Sequence, residues 1–126
     1  NNEALEMIKK GIVSNPFLPY SYYQESRIYL SINDILSATE SAHRGYVLSP
    51  KISSLAALYF TLLSQNNNSA KLISYYSNVE DSMDETIWKY YLLALKEGIP
   101  NYIDDKFYNK ALSRSLNLFK RDLSLN

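Results

Sequence analysis

The chain has 126 residues, no cysteine and a formal net charge of zero, with 46% hydrophobic and 21% charged residues. This bounds it to one ordinary domain with enough apolar residues for a core. It excludes disulfides and thiolate metal sites and an overall basic excess of the kind that binds nucleic acid or anionic membranes. No apolar run reaches the length of a membrane span, so neither direct nucleic-acid binding nor membrane insertion is expected. A cytoplasmic or a periplasmic compartment fits equally.

In chain order, Leu5, Ile8 and Ile12, with Ala4, Met7 and Gly11, recur at helical spacing and predict a helix over residues 2–13, closed by Asn15-Pro16. A second helix is predicted over 17–31, with Pro19 in its first turn, where proline is tolerated. Asn33-Asp34 is the next turn, Asp34 acting as a helix start because its carboxylate accepts from free N–H groups. A third helix follows over 34–48, ended by Ser49-Pro50. Residues 51–65 are apolar on nearly all sides, as expected of a helix packed between neighbours. The polar run Asn66-Asn67-Asn68-Ser69 is a turn, and 70–79 reads as a short helix. Residues 81–84 are a connector and cap, 86–97 a helix carrying Trp88, and Gly98-Ile99-Pro100-Asn101 a firm break. The last helix is predicted over 103–119, with Asp104 and Asp105 at its positive N-terminus and Lys120-Arg121 at its negative end. The expectation is all-α, about seven helices.

The segment 35–50 repeats the punctuation of 4–16. Ala4 answers to Ala38, Ile8 to Ala42, Gly11 to Gly45 and Pro16 to Pro50, every pair at the same separation. A constant offset of about 34 residues marks a repeat array of helical hairpins, in which small residues let helices lie close. The turns at Asn33, Asn67 and Pro100 keep nearly the same spacing. From Pro19 onward, Tyr22, Ser26, Tyr29, Ala38, Ala42, Gly45 and Pro50 fill the large, small, aromatic and proline slots of the tetratricopeptide repeat family, which the chain resembles. A second copy from Ser53 has Ala56, Phe60, Leu63, Leu72, Tyr76, Val79 and Asp84, and has lost the small residue and the proline. A third from Glu85 has Trp88, Leu92, Leu95, Asp104, Tyr108, Ala111 and Leu116. The resemblance implies an α-solenoid: the second helix of an incomplete repeat over 1–16, repeats over 19–52, 53–84 and 85–118, and a tail over 119–126. The missing methionine and missing half-repeat suggest a segment of a longer protein. Self-association through Leu5, Ile8 and Ile12 is then possible, because they would lack a partner helix.

Catalytic signatures are not found. A single histidine, His43, cannot make an ordinary zinc site without cysteines or carboxylates at ligand spacing; it reads as a partly exposed helix residue. The three glycines form no phosphate loop and no nucleophile elbow is present. Glu80-Asp81 and Asp104-Asp105 point apart on a helix and read as caps rather than acid/base dyads. No catalytic residue, metal or cofactor is expected. Most of the twelve tyrosines, among them Tyr22, Tyr29, Tyr59, Tyr76, Tyr91 and Tyr108, read as core.

The resemblance places a concave groove on the first helix of each hairpin. Its lining would be Tyr20, Tyr23, Gln24, Arg27, Leu30 and Ser31, then Ser54, Ala57, Leu58, Thr61, Ser64 and Gln65, then Thr86, Lys89, Tyr90, Leu93, Lys96 and Glu97. Exposed aromatics with Arg27, Lys89 and Lys96 suit a peptide held by ring contacts and oriented by polar groups. The second repeat offers no cation, unlike grooves of the family that clamp a terminal carboxylate. The expected function is a non-catalytic protein-interaction module. The alternative is an accessory domain of a larger bacterial protein, either the sensor half of a transcription regulator or the extracytoplasmic tail of a glycan-assembling membrane enzyme. A groove filled by the chain's own last helix is the remaining possibility.

Overall fold

A computed structural model describes residues 2–98 and 103–119. Among these there are eight α-helices and no strand: α1 (Asn2–Ser14), α2 (Pro19–Ser31), α3 (Ile35–Leu48), α4 (Ser53–Gln65), α5 (Ser69–Ser74), α6 (Tyr76–Ser82), α7 (Glu85–Gly98) and α8 (Asp105–Leu118). The expected break at Ile99-Pro100-Asn101 and the basic end Lys120-Arg121 lie outside the described residues.

Element boundaries repeat at the offset seen in the sequence. Both ends of α4 lie one such period after the ends of α2, the start of α5 one period after that of α3, and the end of α3 one period after that of α1. The turns repeat as well. Asn33 and Asn67 both adopt left-handed backbone, at φ 62° and 56°, which asparagine tolerates better than most residues. Behind each, the next N–H reaches back to close the preceding helix, Asp34 to Tyr29 and Asn68 to Leu63, both at 2.9 Å. Asp34 and Asn68 then cap α3 and α5 by accepting from the backbone N–H of Ser37 and Lys71.

Helices α2 and α3 pack most closely. Ser26 Oγ donates to the Ala38 carbonyl at 2.8 Å in the buried interface, and Gly45 approaches Tyr22 at the other end. These pairings run in opposite directions along the two helices, so α2 and α3 are antiparallel. The α3–α4 pair is antiparallel too, from Gly45 beside Leu55 to Asn66 donating to Thr39. Helix α4, apolar on nearly every side, contacts α3, α5 and α7 and buries Leu55, Ala56, Tyr59, Phe60, Leu62 and Leu63. Its relation to α7 is parallel: Ser54 and Thr86 border one depression, Phe60 packs edge-on to Tyr91, and Ser64 bonds Glu97. At the centre Tyr46, Tyr59, Phe60, Tyr75 and Tyr91 form one aromatic cluster, with Trp88 fully buried beside it against Tyr76.

Three expectations are corrected. The predicted helix over 70–79 is two helices joined at Tyr75, and the second extends to Ser82. The reason lies on α7: the buried Tyr91 hydroxyl donates to the carbonyls of Leu72 and Ile73, at 2.8 and 3.3 Å. These are the acceptors an unbroken helix would offer to residues 76 and 77. Glu80-Asp81 is not a cap. Both residues lie inside α6, where Glu80 pairs with Arg114 of α8 at 3.1 Å; Asp84 caps α7 through the N–H groups of Thr86 and Ile87. Gly11 makes no close approach, with nothing near its Cβ position, whereas Gly45 is tightly enclosed. On α1, Ile12 is buried and Leu5 and Ile8 are half-buried against α2, so the apolar side chains left to solvent are Met7 and Val13.

Candidate functional site

Helix α2 begins at Pro19, whose fixed φ suits the first turn, and its outward face starts one residue later. Tyr20 and Tyr23, three apart on that face, stack with ring centroids 5.8 Å apart and planes 15° from parallel. The Arg27 guanidinium lies over Tyr23 at 5.8 Å, one turn further along. Together with Gln24 and with Ala4, Met7, Ile8 and Ile28, they line an open depression of about 570 Å³ between α1 and α2. The α1 wall was not anticipated from the sequence, because Met7 and Ile8 read only as part of that helix's apolar stripe.

Tyr23 also borders a second depression, of about 450 Å³, whose floor and far side are Ser53, Ser54, Ala57, Leu58, Thr61, Thr86 and Tyr90. Residues of α2, α4 and α7 therefore border one depression. Their small and hydroxylated side chains keep this floor open. Thr86 links the second depression to a third, of about 520 Å³, bordered by Glu85, Lys89, Leu92, Leu93 and Lys96 of α7 and by Tyr108, Leu112, Ser115 and Leu116 of α8. Lys89 sits 5.7 Å over the Tyr90 ring. The result is a channel along one face from α1 to α8, with a tyrosine–cation pair at Tyr23/Arg27 and another at Tyr90/Lys89. Its formal charges are Arg27, Lys89 and Lys96 against Glu85.

Five residues of the expected lining depart from this. Gln65 is exposed at the end of α4 and borders none of the three depressions. Leu30 packs against the core, and Ser31 turns its hydroxyl back to the Ile28 carbonyl. Ser64 and Glu97 bond to each other across α4 and α7. Helix α8 walls the last depression, but none of its described residues borders the central one.

Glu25 lies on α2 away from this channel, 2% exposed, and accepts from Ser41 Oγ at 2.7 Å. Lys9 and Arg44 approach its two oxygens at 3.5 and 3.9 Å. They lie over the rings of Tyr29 and Tyr22 respectively. This knot joins α1, α2 and α3 and is structural. Its position three residues after Tyr22 and one before Ser26, on the buried stripe, was the available signal.

His43 lies in a separate depression with Glu40, Tyr59, Asn66 and Lys71. Partial burial, then the nearby Lys71 charge, hold its imidazole below the ordinary histidine range. Among the described residues no group of three His, Asp or Glu side chains is placed to hold a metal ion, and no helix is long and apolar enough to cross a membrane. No protein-family model matches this chain, and no curated protein or solved structure matches it.

Proposed function

We propose that this chain is a non-catalytic interaction module of tetratricopeptide-like architecture. Its helices form stacked hairpins over 19–52, 53–84 and 85–118, preceded by the second helix of an incomplete repeat, and hold a peptide or protein segment in the channel. The observation that carries this reading is that Tyr23, Leu58, Thr61 and Tyr90, from three helices far apart in sequence, border one depression. The recurrence of helix ends and left-handed asparagine turns at a single period supports the hairpin architecture.

The chemistry of the lining explains what such a channel favours. Tyrosine offers a large rigid contact area at small entropic cost, while Arg27 and Lys89, each lying over a ring, present cations to carboxylates or carbonyls of a bound segment. A displayed peptide library selected on the folded chain is the test. Peptides enriched by the wild type should lose about tenfold or more in affinity for a Tyr23→Ala/Arg27→Ala variant, since aromatic and arginine anchors carry most interface energy. Helicity and melting should be nearly unchanged. Equal binding by the variant would exclude the channel as the binding site, and collapse of its helicity would make these two residues structural.

A further inference from the structure

Sulfur is scarce in this chain: it has no cysteine and two methionines, Met7 and Met83. A dissolved hydroperoxide therefore meets two thioethers and no thiol, so its sulfur chemistry here stops at the sulfoxide, the rung from which methionine can be restored. Both residues are open to solvent, Met7 at 75% and Met83 at 58%, but their surroundings differ.

Met83 follows α6 in left-handed backbone, at φ 53°, and borders none of the channel's three depressions. Met7 lies in the middle of α1 and, with Ile8, borders the depression that also holds Tyr20, Tyr23 and Arg27. There the stacked pair of tyrosine rings and the aliphatic wall form the apolar part of the channel. The Met7 thioether is thus reachable both by a segment bound in the channel and by a small oxidant in water.

The attachment of α1 does not depend on this sulfur. Ile12 is buried, Leu5 and Ile8 are half-buried, and Lys9 pairs with the buried Glu25 of α2 at 3.5 Å. A chemical change at Met7 therefore alters the channel wall while the helix stays docked.

We propose that Met7 is a site of reversible oxidation by hydroperoxides, and that its sulfoxide weakens the hold of the channel on a bound segment. This rests on the channel reading given above. The sulfur lone pair attacks one peroxide oxygen, and an S–O bond forms as the O–O bond breaks. With hydrogen peroxide, the proton of the transferred hydroxyl passes to the leaving oxygen, which departs as water; sulfur loses two electrons and the peroxide gains them. In the reverse step two thiols supply two electrons and become a disulfide, and the sulfoxide oxygen leaves as water. The sulfoxide puts a polar acceptor where a soft apolar side chain stood. An apolar group of the bound segment can then cover it only by stripping its water, which costs affinity.

The test uses a methionine-free peptide enriched by the wild type from a displayed library. The folded chain is treated with hydrogen peroxide, the excess is destroyed with catalase, and each protein's affinity is compared with its own before treatment. Mass spectrometry reads the oxidation of each methionine. The wild type and a Met83→Leu variant should lose about fivefold or more in affinity on treatment, and regain it with methionine sulfoxide reductases and dithiothreitol. A Met7→Leu variant, whatever its starting affinity, should not respond. Bound peptide should in turn slow the oxidation of Met7 and leave that of Met83 unchanged. Four results would overturn this inference alone: an equal response by Met7→Leu, unchanged affinity with Met7 oxidised, no protection of Met7 by the peptide, or loss of helicity on oxidation. No enriched peptide, or one bound equally by the Tyr23→Ala/Arg27→Ala variant, would defeat the channel reading and this inference with it.

Discussion

A Cβ added at Gly45 would lie 2.8 Å from Leu55 Cδ2 and 3.0 Å from Tyr22 Cβ, closer than side chains ordinarily approach. The Leu55 tip has some freedom to turn, but Tyr22 Cβ is fixed to the α2 backbone. Gly45→Leu is therefore expected to lower stability by about 1–3 kcal/mol through overpacking, read as a shift of the denaturation midpoint; an unchanged midpoint would place Gly45 outside the α2–α3–α4 junction. Gly11, its counterpart at the constant sequence offset, shows why the offset alone did not settle such contacts. Its surroundings hold nothing within reach of a side chain, because spacing records a backbone position and not whether a neighbour covers it. Glu25 shows the converse. Most glutamates are solvated, and only the combination of Ser41, Lys9 and Arg44 from two other helices makes this one a buried acceptor.

Between elements, the aromatic cluster joins α3, α4, the α5–α6 joint and α7. Tyr59 and Tyr75 share a hydroxyl–hydroxyl bond of 2.8 Å, and Tyr91 bonds the backbone at the joint. Burial pushes the Tyr46 phenol up to about 12 from its ordinary 10.0, and raises Tyr59 and Tyr91 as well. A phenol raised on folding stabilises fully below the unfolded value and loses that contribution as pH climbs toward the folded one. Alkaline unfolding is thus expected to set in above about pH 10, with the phenolate absorbance of these residues appearing in step with loss of helicity. Phenolate formed by the cluster while helicity stays intact would contradict the packing described. Helix existence and most boundaries were legible from apolar spacing and from Asn33, Asn67 and the prolines. The division at Tyr75 was not, since it depends on a hydroxyl that arrives from α7.

Across the whole molecule, the sequence singled out Tyr20, Tyr23, Gln24, Arg27, Leu58, Thr61, Lys89, Tyr90 and Leu93, and each of them borders one of the three depressions. Once α2, α4 and α7 share a register, one face of each turns the same way. The end walls were not legible, because α1 and α8 supply Met7, Ile8, Tyr108 and Leu112 from packing directions that a single sequence does not encode. Gln65 failed for a related reason: it continues the helical periodicity past the point where α4 still borders the channel. The measurement that tests the central claim most directly is backbone amide chemical-shift mapping of a library-selected peptide on the folded chain. The perturbed amides are expected to cluster on Tyr23, Leu58, Thr61 and Tyr90 and to fade toward the Asn67 turn. Perturbations gathered instead around His43 and Lys71, or on α5 and α6, would show that the channel is not where this protein binds.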